Sequence, residues 1–289
     1  VTYQLVRSGK VREVYEDDSG SLLLVATDRV SAYDHVFPEL VPDKGRLLTA
    51  ISATAFEMLA ELVPTHFLDL PTDLPPRLVG RTSRVRRLQM LPIECVVRGY
   101  LVGSAYEAYQ ASGQVQGVRL PEGLGFGDRL AEPIFTPTTK EEAGHDQPLT
   151  PQELADRLGG ELAERLARRS LSIYARLADW FNGHGLVLLD TKFEFGLDDG
   201  DVVLADEVAT PDSSRIVRAP VTREPEWLDK QILRDWLRAR GFRGDGPPPA
   251  LDGAVLAALR GAYVTVYETL SGRSFADWPG LAATYGGGS

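Results

Sequence analysis

The spacing of apolar residues predicts a mixed α/β protein (α/β or α+β) in two lobes. Short apolar runs bounded by turn residues dominate the first hundred positions, and amphipathic helical stretches alternate with strands after them. At 289 residues and 43% hydrophobic composition, the chain has material for one large domain or two packed lobes. No internal repeat interrupts it, and the only low-complexity run is the Gly-Gly-Gly-Ser tail.

Residues 11–15 and 21–26 read as strands joined by the Asp17-Asp18-Ser19-Gly20 turn. Helical spacing covers 47–62 and stops before Pro64, and a Pro-rich connector occupies 64–76. Residues 83–89 and 93–98 read as strands around Pro92, and 101–111 as a helix ended near Gly113. Residues 120–150 show little periodicity, so a long loop with a function is expected there. An amphipathic helical stretch covers 153–182, broken at Gly159-Gly160. Two strands follow, 186–197 and 202–208, around an Asp-Asp-Gly turn. The last helices are 227–240, with Leu228, Ile232, Leu233, Trp236 and Leu237 in one stripe, and 251–270.

The net charge of −10 argues against nucleic acid or anionic lipid as partners but leaves room for a local basic pocket that takes a phosphorylated small molecule. No apolar run approaches the about 20 residues of a membrane helix, and the opening VTYQLVRSGK lacks the apolar region of a secretory signal. A soluble, cytoplasmic protein is expected. The single cysteine, Cys95, excludes an internal disulfide framework and reads as a buried structural thiol in an apolar strand. Of 31 basic residues only five are lysines, at 10, 44, 140, 192 and 230, so each is worth inspecting as a compact point charge suited to phosphate.

The segment Ser8-Gly9-Lys10-Val11 opens the first hairpin and would present backbone N–H groups and an ammonium to a polyphosphate, although the same pattern suits an ordinary basic turn. It is not a P-loop. In Thr27-Asp28-Arg29-Val30-Ser31-Ala32-Tyr33-Asp34, a loop leaving a strand, Asp28 or Ser31 is equally a helix cap. Lys44, in Pro42-Asp43-Lys44-Gly45, precedes a helix whose N-terminus attracts anions.

The hairpin at 186–208 is the most informative segment. Strand alternation puts Asp190, Lys192 and Glu194 on one face and Thr191, Phe193 and Phe195 on the other. With the turn centred on Asp199-Gly200, Glu194 is expected roughly opposite Asp206, with Glu207 adjacent. Opposed like charges destabilise a sheet, so the pattern invites a divalent cation such as Mg²⁺; otherwise it is a solvated acidic face. Thr210-Pro211-Asp212-Ser213-Ser214-Arg215 follows, with hydroxyls and an arginine fork for an anion. Arg98 to Ser104 (RGYLVGS), Phe135 to Lys140 (FTPTTK) and His145-Asp146 complete the candidate segments. No Ser-His-Asp arrangement and no GxGxxG is present.

Seven blocks in order (SGKVREVY, ATDRVSAYD, PDKG, PIECVVRGYLVGSAYEAY, FTPTTK, DTKFEFG and ADEVATPDSSR) resemble the SAICAR synthetase family of purine biosynthesis, from about Ser8 to Leu237. The resemblance implies a two-lobed fold, with residues 1–91 as a β-rich ATP-binding lobe related to those of ATP-grasp enzymes and protein kinases. Residues 92–289 would form a larger mixed lobe with the substrate and metal sites. It implies a ligase that joins carboxyaminoimidazole ribonucleotide (CAIR) to L-aspartate with ATP and Mg²⁺, through an acyl phosphate. On that reading Ser8, Gly9, Lys10 and Val11 cover the ATP phosphates, and Gln89, Met90 and Leu91 line the adenine site. Glu194 and Asp206 hold Mg²⁺. Arg98, Ser104 and Arg215 grip the ribonucleotide, and Lys192 neutralises the transferring group. Asp34, Lys140, His145 and Asp190 serve substrate binding or the chemistry. A small-molecule phosphotransferase with a kinase-like lobe pair is the competing reading, weakened by the missing HRDxxxxN and DFG signatures. A silent nucleotide-binding regulator would leave the strand lysine unexplained.

Overall fold

The computed structural model describes residues 3–18, 20–141 and 146–281. Strands β1 (Tyr3–Ser8), β2 (Arg12–Asp17) and β3 (Leu22–Ala26) form an antiparallel meander, and β4 (Arg29–Ala32) with β5 (His35–Leu40) a separate ribbon. Helix α1 (Lys44–Leu59) follows, then β6 (Phe67–Asp69) and β7 (Thr82–Val85), which complete a five-stranded sheet in the order β1-β2-β3-β7-β6. Next come β8 (Gln89–Met90), β9 (Ile93–Tyr100), helix α2 (Gly103–Ser112), the ribbon β10 (Gln114–Val115) and β11 (Val118–Arg119), β12 (Arg129–Phe135) and β13 (Thr138–Thr139). Helices α3 (Pro151–Leu158) and α4 (Gly160–Gly183) lead into β14 (Leu186–Asp198), β15 (Asp201–Ala205) and β16 (Ser214–Arg218). Helices α5 (Gln231–Ala239) and α6 (Gly253–Ser271) complete the order, with a short turn of 3₁₀ helix at Phe275–Asp277. The second sheet has seven strands, ordered β12-β9-β14-β15, with β13 on β9 and both β8 and β16 on β14.

The mixed α/β architecture expected from the sequence is what forms, and each expected helix is present. Several segments differ: the expected strand at 83–89 is split into β7 and β8, and the 27–34 loop contains β4. The 64–76 connector contains β6, and the 120–150 loop contains β12 and β13. Pro133 conceals β12 from a pattern search, because proline cannot donate to a ladder. It is tolerated here on an edge strand whose register shifts between Arg129 and Ile134. The expected strand at 202–208 stops at Ala205, because Asp206 takes a left-handed conformation (φ 60°) that ends the ladder.

Strand β14 organises the molecule. Leu186 and Leu188 join Phe193 and Phe195 in one buried cluster with Ile173, Tyr174, Leu177 and Phe181 of α4, while Val187 and Leu189 pack with Val102 and Val217. An unbroken strand cannot put 186, 188, 193 and 195 on one face. The pairing with β16 supplies the missing residue: Leu188 faces Ile216 but Asp190 faces Arg215, so Leu189 is a bulge. Past the bulge, even-numbered side chains leave the helix-covered face. Asp190, Lys192 and Glu194 thereby point away from α4.

Candidate active site

Around Asp190 the chemistry is ionic. Its Oδ2 accepts from Arg98 Nη1 of β9 at 3.0 Å and from Arg215 Nη1 of β16 at 2.5 Å. Arg98 is oriented by a second bond, from Nε to Thr136 Oγ1 at 3.0 Å. Gly103, at φ 55°, permits the approach of Arg215, since a Cβ there would stand 2.4 Å from Nη2. A cavity of about 260 Å³ is lined by Arg98, Asp190, Lys192, Asp212, Ser213, Arg215, Lys230 and Arg234 among others. Its cations outnumber its carboxylates, which suits an anion. Arg215 and Arg234 also line a second cavity of about 260 Å³ with Ser104, Gly103, Tyr33 and Arg238. Ser104 stands in the first turn of α2, whose N-cap residue Val102 makes no side-chain cap, so a helix N-terminus faces this cavity.

Next along β14 lies a cluster of alternating charge. Lys192 Nζ donates to Glu94 Oε1 at 2.5 Å and stands 3.7 Å from Glu194 Oε1. Lys140 donates to Glu194 Oε2. Arg12 donates to Asp206 and lies 2.8 Å from Glu207 Oε1. Burial alone would lower the Lys192 pKa, but Glu194 and Glu94 outweigh it and hold the ammonium charged. Glu194 is pushed up by burial and by Asp206, against Lys192 and Lys140. Asp206 is held down by Arg12, Lys140 and Lys192, which overcome its burial. The register places Glu194 opposite Ala205, so Asp206 comes one residue beyond the expected pair.

The donor set fits Mg²⁺. Glu194 and Asp206 are hard oxygen donors in which the charge of one raises the pKa of the other, and cations now neutralise both. Among the described residues no group of three or more His, Cys, Asp and Glu is placed to hold a metal by itself. Mg²⁺ needs no such cage, since one or two carboxylates plus phosphate oxygens and water satisfy it.

The Gly9 turn joins β1 to β2: Gly9 N donates to Arg12 O at 2.7 Å, and Arg29 Nη2 to Gly9 O at 3.0 Å. Ser8 ends β1, and Val11 O accepts from Thr27 N at 3.0 Å. Lys10 is exposed at the tip and pairs with Asp34 Oδ1 at 2.5 Å. Arg12, the first residue of β2 after the turn, pairs with Asp206, so this turn adjoins the carboxylate cluster. Gln89 and Met90 form β8 against Leu197 and Gly196, Met90 is exposed, and Leu91 is buried with its N–H on Phe195 O at 2.9 Å. His145 lies outside the described residues. Asp28 is structural: fully buried, it accepts from Gly45 N at 2.9 Å in the first turn of α1 and pairs with Arg81 at 2.8 Å. Cys95 is buried as expected, its thiol pushed up to about 12 by burial.

Sequence reasoning missed several members. Asp212 Oδ2 receives both Lys44 (2.7 Å) and Lys230 (3.2 Å), and its Oδ1 accepts from Tyr263 OH at 2.7 Å. The scarcity of lysine singled out both ammonium groups, but nothing local showed that they meet. Glu94, Arg12 and Arg234 carried no signal of their own.

A central strand that lifts carboxylates and an ammonium between an arginine-lined cavity and a phosphate-suited turn defines an enzyme acting on multiply charged anionic small molecules. The SAICAR synthetase family model matches residues 5–247. The phosphoribosylaminoimidazole-succinocarboxamide synthase of Salinispora arenicola is 49% identical, covering 93% of this chain and 99% of its own, and that of Mycobacterium marinum is 46% identical over 97% and 98%. The solved SAICAR synthase of Saccharomyces cerevisiae complexed with SAICAR superposes with a TM-score of 0.84 at 36% identity over 95% of this chain and 96% of its own. A type-2 SAICAR synthetase in complex with ADP gives 0.73 at 25% identity over 94% and 99%. The chain belongs to the SAICAR synthetase family, ligases that condense CAIR with L-aspartate in purine biosynthesis. Among the described residues no helix is long and apolar enough to cross a membrane.

Proposed function

We propose that this chain performs that condensation in the cytoplasm, with ATP and Mg²⁺, by way of an acyl phosphate. The observation that carries the reading is the position of Lys192, between the arginine-lined cavity and the paired carboxylates Glu194 and Asp206. A free carboxylate is a poor electrophile. Passing the γ-phosphoryl of ATP to the CAIR carboxylate creates a leaving group; the aspartate amine then attacks the carbonyl and phosphate departs. Such chemistry asks the protein chiefly for positioning and for charge neutralisation.

In this reading Arg98, Arg215 and Ser104 grip the ribonucleotide, with Asp190 holding the two guanidiniums in place. Lys192 offsets charge on the transferring group. Ser8, Gly9, Lys10 and Val11 cover the ATP phosphates, and Gln89, Met90 and Leu91 border the base. Mg²⁺, held by Glu194 and Asp206, supplies neutralisation of the phosphates when bound. Asp34, Lys140 and His145 complete substrate binding. Residues 1–91 then serve as the nucleotide lobe and 92–289 as the lobe that carries the ribonucleotide and the metal.

A coupled ADP-release assay with ATP, CAIR and L-aspartate, omitting each in turn, tests this. Steady turnover is expected only with all three. Undiminished ADP release without L-aspartate would indicate a phosphotransferase instead.

A further inference from the structure

The bulge in β14 needs something to hold it. A bulge leaves ladder groups without strand partners, and a buried carbonyl must find a donor elsewhere. Helix α4 supplies one. Tyr174, which is buried, donates its hydroxyl to Leu188 O at 2.7 Å, with Leu189 O at 3.5 Å. These are the carbonyls at the point where the strand changes phase.

The opposing strand is shaped for the same ring. Gly99 follows Arg98 on β9, and a Cβ there would lie 2.0 Å from the Tyr174 hydroxyl oxygen and 2.8 Å from Cζ. Packing alone does not pin the ring, because a cavity of about 210 Å³ lined by Gly99, Tyr174, Ala178 and Leu188 lies beside it. One hydroxyl therefore meets β9 beside Arg98 and β14 just before Asp190, on the face of the sheet opposite to the charged cavity.

We propose that Tyr174 is a positioning residue for the ligation, its hydroxyl holding the Leu188–Asp190 bulge that turns Asp190, and with it Arg98 and Arg215, toward the ribonucleotide. It touches no substrate and acts through Asp190. The inference rests on the reading of Asp190 given under Proposed function.

Steady-state kinetics of the full-length Tyr174→Phe, Asp190→Asn and doubly substituted enzymes test it, since phenylalanine keeps the ring volume and removes only the donor. Tyr174→Phe is expected to raise the KM for CAIR about tenfold, with kcat within about threefold of the parent. The double variant should be no worse than Asp190→Asn alone, as two residues acting as a unit are non-additive. A CAIR KM within twofold of the parent for Tyr174→Phe, or additive effects in the double variant, overturns the proposal even where the melting temperature falls. If Asp190→Asn itself leaves the CAIR KM unchanged, the assignment of Asp190 has failed instead, and the positioning role falls with it. Gly99→Ala, which displaces the ring by another route, should reproduce the raised KM; a normal KM in that variant also counts against the role.

Discussion

Asp190 and Arg215 face each other across the β14–β16 pair, joined at 2.5 Å, one register step past the bulge. The pairing uses only part of the arginine's fork and turns a guanidinium toward two adjoining cavities. A carboxylate that takes two arginines leaves one positive charge over, where an anionic substrate would supply the balance.

That geometry makes Arg215→Lys informative. Lysine keeps the charge but loses the planar fork. The KM for CAIR is expected to rise about tenfold or more, with a smaller change in kcat, as removal of binding contacts predicts. Initial rates at varied CAIR check this, and an unchanged KM would remove Arg215 from the site.

Glu194→Gln and Asp206→Asn should each reduce turnover by about a thousandfold while the circular dichroism spectrum at assay temperature stays that of the parent. Asparagine tolerates the left-handed backbone at position 206, so the Asp206 variant removes the charge without straining that turn. Lys192→Ala is expected to behave alike. Activity within tenfold of the parent in either carboxylate variant would contradict their assignment to the metal.

The buried Asp212 carries two ammonium groups and a phenol. Its pKa is held low by Lys230 and Lys44 despite its burial. Asp212→Asn would strand both cations, and breaking a buried pair in this way costs about 3–5 kcal/mol. Urea unfolding should show the loss, with the m-value unchanged. A shift below about 1 kcal/mol would mean that the cluster is solvated.

Asp229 is fully buried, and burial drives its pKa up to about 7 from the ordinary 3.8, against N–H bonds from Ile216 and Gln231 and the charges of Arg215 and Arg234. A folded acid with a raised pKa binds protons that the unfolded chain has released. Its contribution to stability is therefore complete below about pH 4 and is lost as pH rises toward 7. The melting temperature of the parent relative to Asp229→Asn should fall across that window. Parallel pH profiles would show that Asp229 titrates normally.

Much of this was legible in the sequence because the relevant signals are local. The Asp199-Gly200 turn specified the β14–β15 hairpin, and period-two alternation put Asp190, Lys192 and Glu194 together. What escaped depends on backbone irregularity or on chain-distant partners. Glu194 lies opposite Ala205 because the Asp199-Gly200 turn sets that register, and Asp206 then leaves the ladder in a left-handed conformation that the residue pattern does not announce. Leu189 looks like any other strand leucine, yet its bulge lets Leu188 and Phe193 share a core. Pro133 hid an edge strand. Asp28, placed in a promising motif, caps α1 and neutralises Arg81. Arg12 and Glu94 complete the charge cluster from other strands, and only the folded topology brings them there.

The central claim is that the β14 cluster activates the CAIR carboxylate by phosphoryl transfer. CAIR labelled with ¹⁸O in that carboxylate, turned over with ATP, Mg²⁺ and L-aspartate, tests it most directly. One labelled oxygen should appear in inorganic phosphate for each amide formed, carried out with the departing acyl-phosphate oxygen. Amide formation with unlabelled phosphate would contradict the mechanism.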